Sequence, residues 1–278
     1  MKRILNHLIQ LQDLCLTRKE QETLVPEREL SELDASIKEL KAELPKRYFR
    51  KFETLQKRYQ AAVVPVFEGA CSGCGAVLPT AIGQKIISGD ELIQCPMCSR
   101  ILYSYKGPKK RIQKSPEFIL DSSIGVSRFS SELLMIPALD AENKKEAIKE
   151  LVHLMADNEF IDQPEEVIES SLRREAMLTT AVGSGLAFPH VRGIECCGLT
   201  LAVGLKEAGL DWNTPDGKPV QIVSFMVIPI AASAFYLELV SGLMKTFRDK
   251  DNYESLINSE TKTEMWENLI DLTEGNVY

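Results

Sequence analysis

Residues 172–192 read LRREAMLTTAVGSGLAFPHVR. The stretch closes a helical pattern, PEEVIESSLRREA, whose Pro164 sits near the start, where proline is tolerated. It then runs through glycines and a proline to His190, one of only three histidines in the chain. The spacing predicts a loop. Gly183 and Gly185 let backbone N–H groups of such a loop approach an anion. Thr179, Thr180 and Ser184 add hydroxyls, and Arg174 lies sixteen residues before the histidine. Imidazole is a neutral nucleophile near pH 7, since its ordinary pKa is about 6.5. A planar guanidinium matches phosphoryl oxygens. Together His190 and Arg174 could hold a phosphoryl group on nitrogen. The competing reading is a loop histidine packed under Phe188. His7 falls beside Arg3 and Gln10, and His153 beside Glu146, Lys149 and Glu150, so both are expected on solvated polar faces.

Around this stretch helices and strands alternate. NKKEAIKELVHLMADNEF opens with Asn143 and Glu146 three residues later, a capping-box pattern, and offers Ile148, Leu151, Val152 and Met155 as an apolar face. LTLAVGLKE and VQIVSFMVIPI read as strands separated by the turn signal NTPDGKP. AFYLELVSGLMKTFRD reads as a helix burying Leu237, Val240, Met244 and Phe247, and TKTEMWENLIDL as a last helix. Strands set between helices imply an α/β layer structure.

The chain of 278 residues is long enough for about two domains. Its charge is uneven. Residues 1–115 hold 20 Lys+Arg against 13 Asp+Glu, and residues 116–278 hold 13 against 27. Balances of +7 and −14 suggest modules with different partners, or partners of each other. The N-terminus lacks the apolar core of a signal peptide. The longest uncharged run, Pro219 to Leu237, approaches the ~20 residues of a membrane helix. Its β-branched first half and Pro229 favour a buried strand followed by a helix, and no membrane span is expected. The cysteines are then expected in a reducing, cytoplasmic setting, where pairs more often bind metal than form disulfides.

Residues 1–62 carry helical spacing: apolar residues at 4, 8, 11 and 15, then Leu30, Leu33, Ile37, Leu40 and Leu44 as a short heptad-like seam. Pro26 can occupy the first turn of the second helix, and Tyr48, Phe52, Leu55 and Tyr59 continue a face after Pro45. A helical hairpin or short coiled coil is expected. In 63–105, Cys71, Cys74, Cys95 and Cys98 form two C-x-x-C pairs twenty residues apart. Each knuckle can present two sulfurs, with Gly73 and Gly75 easing the first, and four thiolates close the tetrahedron of structural zinc. A redox pair would need only one C-x-x-C, and spacing alone leaves iron open. Residues 106–117, KGPKKRIQKSPE, read as a basic linker, and 118–278 as the second large domain.

The stretch from VVPVFEGACSGCG to GDELIQCPMCSRILY resembles the C4-type zinc-ribbon family found after coiled coils in bacteria, whose members look like assembly or regulatory adaptors. Coils in that family are usually longer. The 172–192 stretch looks like the active-site segment of enzyme IIA domains of the bacterial sugar phosphotransferase system, of the fructose, mannitol and nitrogen-regulatory type. The match runs from about Ser131 to Leu272 and includes a strand ending in VIP before a helix. This resemblance implies a mixed sheet flanked by helices, His190 as the phosphorylated histidine, Arg174 as the phosphate-binding arginine and Thr180 on the motif threonine. It implies the phosphocarrier HPr as donor, and an unidentified acceptor or regulated partner. Ala181 stands where a glycine is usual, and Tyr236 where the family often has a second histidine. The expectation is thus a regulatory IIA-like protein carrying structural zinc. The alternative is a non-catalytic zinc-ribbon adaptor with a degenerate IIA-like domain, binding protein complexes or, less expected from so modest a charge, nucleic acid.

Overall fold

The computed structural model describes residues 1–105, 125–195 and 198–277. The expected linker at 106–117 lies outside them. The chain divides into two compact units, Met1–Gly107 with Ile230–Ala234, and Pro108–Pro229 with Phe235–Tyr278.

The first unit opens with α1 (Lys2–Leu24), α2 (Ser31–Glu43) and α3 (Lys46–Arg58). Leu8, Leu11 and Leu14, spaced to share one helical face, bury against Ile37, Leu40, Leu44, Phe52 and Leu55. Of the seam read from the sequence, Leu30 and Leu33 are only half-buried. Pro26 lies in the turn ahead of α2 instead of in its first turn, and Pro45 is the cap that starts α3. His7 is partly covered, with Nδ1 3.5 Å from Glu43. Strands β1 (Val63–Phe67), β2 (Ala70–Cys71), β3 (Ile93–Gln94) and β4 (Ile101–Ser104) form a sheet in the order β2-β1-β4-β3, with α4 (Thr80–Ser88) preceding β3. Val63 and Ile101 sit in the same core as the helices. Gln12 binds them together: its Nε2 donates to the Val63 carbonyl at 2.9 Å and its Oε1 accepts from the Val63 amide at 2.8 Å. A buried amide that satisfies both groups of one residue acts as a substitute strand neighbour.

The second unit holds β5 (Met135–Ile136), α5 (Lys144–Asp157), α6 (Pro164–Met177), β6 (Ala181–Gly183), β7 (Leu186–Ala187), β8 (His190–Arg192), β9 (Thr200–Leu210), β10 (Val220–Ile228), α7 (Ser233–Phe247), α8 (Lys250–Ile257) and α9 (Lys262–Thr273). The sheet order is β5-β9-β10-β7-β6, and β8 also pairs β10. β9 is antiparallel to β10, whereas β7 and β8 are parallel to it, so the sheet is mixed. Every residue of β10 except Gln221 is buried, as a central strand covered on both faces requires. The run Pro219–Leu237 is therefore β10 followed by the start of α7. No helix among the described residues is long and apolar enough to cross a membrane.

Helix α5 begins as its cap predicts. Asn143 Oδ1 accepts from the Lys145 and Glu146 amides at 3.1 Å, and Glu146 reaches back to the Glu142 amide at 2.9 Å. Two features depart from the sequence reading. Leu237 is only half-buried; α7 buries Tyr236, Leu239 and Leu243 instead, with Val240, Met244 and Phe247. The expected loop between α6 and β9 contains three short strands. Leu186 and Ala187 pair with Ile222 and Val223, then His190–Arg192 pair with Met226–Ile228. One extended segment lies along β10, broken at Pro189, which has no N–H for the ladder.

Candidate functional site

His190 stands on β8, not at a loop mouth, and is 1% exposed. Its Nδ1 is 3.0 Å from the Phe188 carbonyl oxygen and 3.1 Å from the Tyr236 hydroxyl. The Tyr236 ring lies against the imidazole, centroids 4.9 Å apart at 48°. Arg192, two residues on and so on the same strand face, sets its guanidinium 5.2 Å from the Tyr236 ring centre. A carbonyl can only accept, so the Phe188 contact places the proton on Nδ1 and the lone pair on Nε2.

Helix α6, which carries Arg174, packs against β8. Arg174 sits in the last helical turn, where Nη1 donates to the Leu178 carbonyl at 2.8 Å and closes the helix end. Next to it, Glu175 is buried. It accepts from the Thr180 amide at 3.0 Å and hydroxyl at 2.6 Å, and lies 3.4 Å from Lys144 Nζ. The Thr180 carbonyl in turn accepts from the Phe188 amide at 3.1 Å. A continuous set of bonds thus runs from Glu175 through Thr180 and Phe188 to the imidazole. Thr179 donates to the Trp212 carbonyl at 2.9 Å. Ala181 pairs with Ala187 outside the left-handed region, so alanine costs no strain there.

Ser184 is placed elsewhere. It forms the tip of the β6–β7 hairpin, and its amide donates to Asp216 at 2.8 Å. Leu186 opposes Ile222 on β10 and His190 opposes Met226, so the tip points away from the histidine along the strand. Glu175 and Arg192 were not singled out from the sequence. Glu175 had a signal, an acid beside the motif arginine, but its partners Lys144 and Thr180 are visible only in the fold. Glu175→Ala strands three donors, two of them buried, and is expected to cost about 2–4 kcal/mol in urea unfolding of the second unit. A loss below about 0.5 kcal/mol would remove Glu175 from the framework.

The second cluster is in the first unit. The sulfurs of Cys71, Cys74, Cys95 and Cys98 all lie within 4.8 Å of one another, with Cys71–Cys98 at 3.8 Å and Cys74–Cys95 at 3.7 Å. These are too long for disulfides. A tetrahedral zinc with ~2.3 Å bonds to sulfur has sulfur–sulfur edges of about 3.8 Å, so the set fits that ion. Burial drives the Cys71 thiol up. At Cys98 burial also opposes ionisation, but the Arg100 amide and neighbouring thiols bring the thiol down to about 7. Gly75 and Ser99, each following the second cysteine of its pair, take left-handed φ of 72° and 62°. Gly73 instead makes room for a neighbouring side chain, since a Cβ there would lie 2.6 Å from Arg100 Nη1. Arg100 bonds the Gly73 and Ala61 carbonyls and stacks 3.8 Å from the Tyr59 ring centre, fastening the first knuckle to the end of α3.

A mixed sheet with a buried, tautomer-fixed histidine defines one class of domain, and the comparisons agree on which. Residues 128–271, just over half of the chain, match the family model of the phosphoenolpyruvate-dependent sugar phosphotransferase system, EIIA 2. The chain belongs to that family. Residues 70–102 match the C4-type zinc ribbon domain. The chain is similar to a PTS system fructose-specific EIIA component of Haloferax volcanii, at 28% identity over 47% of this chain and 85% of the relative. A nitrogen regulatory protein of Bradyrhizobium diazoefficiens is 33% identical over 42% of this chain and 76% of its own length. The nitrogen regulatory protein IIA-Ntr of Neisseria meningitidis aligns in structure over 52% of this chain and 97% of its own, at 24% identity and a TM-score of 0.47.

Proposed function

We propose that His190 accepts a phosphoryl group on Nε2 from the phosphohistidine of the phosphocarrier HPr. The observation that carries this reading is the Phe188 carbonyl at 3.0 Å from Nδ1. The donor's P–N bond breaks as the Nε2–P bond forms, and the donor imidazole departs. The His190 ring becomes an imidazolium whose Nδ1–H stays on the carbonyl. Arg174 meets the phosphoryl oxygens. The work is positioning and charge neutralisation. Thr179 and Thr180 already donate to Trp212 and Glu175, so in this reading they set the walls of the site. The phosphoryl group then passes to a partner's cysteine or persists as a signal. The cysteine cluster holds one structural zinc with no open position, in a reducing cytoplasm, and the ribbon serves as the adaptor.

Tyr236 is a neutral phenol where the family often has a second histidine, which favours slow, regulatory transfer over rapid relay. Tyr236→His is expected to speed phosphorylation about tenfold or more in a single-turnover assay. An unchanged rate in a folded variant would clear Tyr236 of that role.

The 1% exposure of His190 favours a second reading, in which the domain only binds a partner. Incubation with phosphoenolpyruvate, enzyme I and HPr, followed by alkaline mass spectrometry, separates the two. One base-stable phosphoryl group supports transfer. None, beside a working control domain, supports binding alone.

A further inference from the structure

The glycine-rich tip that the sequence sets six residues before His190 builds a different place. Ser184, Gly185, Lys218, Arg248, Lys250 and Tyr253 line a cavity of about 490 Å³ within the second unit, a size suited to a small-molecule ligand. It lies at the start of β10 and the end of α7, whereas His190 pairs near the end of β10 and Tyr236 opens α7. Gly185 is required there. A Cβ on it would stand 2.2 Å from the Tyr253 hydroxyl, and its φ is +76°. The tip and the phenol therefore form one wall. Tyr253 donates to Gln221 Oε1 at 2.9 Å, and burial pushes its phenol up to about 12, so the wall stays uncharged at neutral pH.

The charge around the cavity runs against its surroundings. Residues 116–278 balance to −14, yet Lys218, Arg248 and Lys250 gather here. Two of the carboxylates nearby are already engaged. Glu254 pairs with Lys250 at 3.3 Å, and Asp216 accepts from the Ser184 and Lys218 amides at 2.8 and 3.2 Å. Phe247, Ile257 and Pro219 complete the lining with apolar surface. A cationic rim over an apolar floor suits a ligand with a compact anionic head and a short hydrocarbon or aromatic body.

We propose that this cavity binds a small organic monophosphate, its head among Lys218, Arg248 and Lys250 and its body against Phe247 and Ile257. The site is separate from His190 and does not depend on its phosphorylation. Titration calorimetry of the full chain with phenyl phosphate, at low ionic strength because exposed charges are screened by salt, tests it. The expected result is saturable one-to-one binding that inorganic phosphate displaces and phenol does not. Arg248→Gln with Lys250→Gln should weaken it at least tenfold. Lys218→Gln should weaken it severalfold, and His190→Ala should leave it unchanged. These cations are exposed, so the variants should keep the wild-type melting temperature and phosphorylation rate. Absence of saturable binding overturns the proposal, as does undiminished affinity in the folded double variant. Loss of binding in His190→Ala would assign the ligand to the histidine site instead.

Discussion

His190→Ala is expected to abolish all acid-labile, base-stable phosphate on the chain. Arg174→Lys should leave labelling detectable but about 100-fold slower, the scale on which one preformed charge-stabilising contact acts in phosphoryl and acyl transfer. The asymmetry follows from chemistry. No other described group has a ring nitrogen held in one tautomer by a backbone carbonyl 3.0 Å away. Lysine keeps the charge of Arg174 but loses the planar fork, and also its bond to the Leu178 carbonyl. A time course with labelled phosphoenolpyruvate, enzyme I and HPr reads both variants. Label that survives His190→Ala would move the chemistry to another residue. Full-speed labelling of Arg174→Lys would reduce the arginine to a helix cap.

The second large effect concerns the thiolates. The purified chain is expected to carry one zinc, and Cys95→Ser should release it and unfold the strands and knuckles of 63–105. Apparent zinc binding energies in small closed sites are about 10–16 kcal/mol at neutral pH, more than a module of this size gains from its own core. Acidification should release the metal, because protons compete for the thiolates. The second unit has its own core and should keep its melting transition. Metal analysis with differential scanning calorimetry checks both halves of this expectation. Wild type with four free thiols, and without metal, would contradict it.

Much of the fold was legible because its signals are local. Asn143 and Glu146 mark the start of α5 within four residues. The uncharged run from Val220 reads as a buried strand whatever its neighbours are. The strands between α6 and β9 were hidden because Gly183, Gly185 and Pro189 dominate the local pattern, while pairing with β10 decides the outcome. Helix α8 was passed over although Asp249 caps it through the Asp251 and Asn252 amides. In the site, residue types were readable and distances were not. Ser184 is six residues from His190, but six residues of extended chain span roughly 20 Å. Tyr236 is 46 residues from His190 and touches it.

The pairing of β1 with β4 has a consequence for biosynthesis. These strands are parallel and far apart in the chain, so β1 has only the two-residue β2 beside it until residues 101–104 exist. Cys71 precedes Cys95 by 24 residues, and chains grow at about 5–20 residues per second, so the first knuckle waits roughly 1–5 s for the second. Through that interval the nascent chain presents a two-thiol chelate with half its ligands missing. Metal selection by such a site depends on availability as well as on affinity. The composition of the cell's exchangeable metal pool while the ribosome is still at work thus bears on which ion β4 closes over.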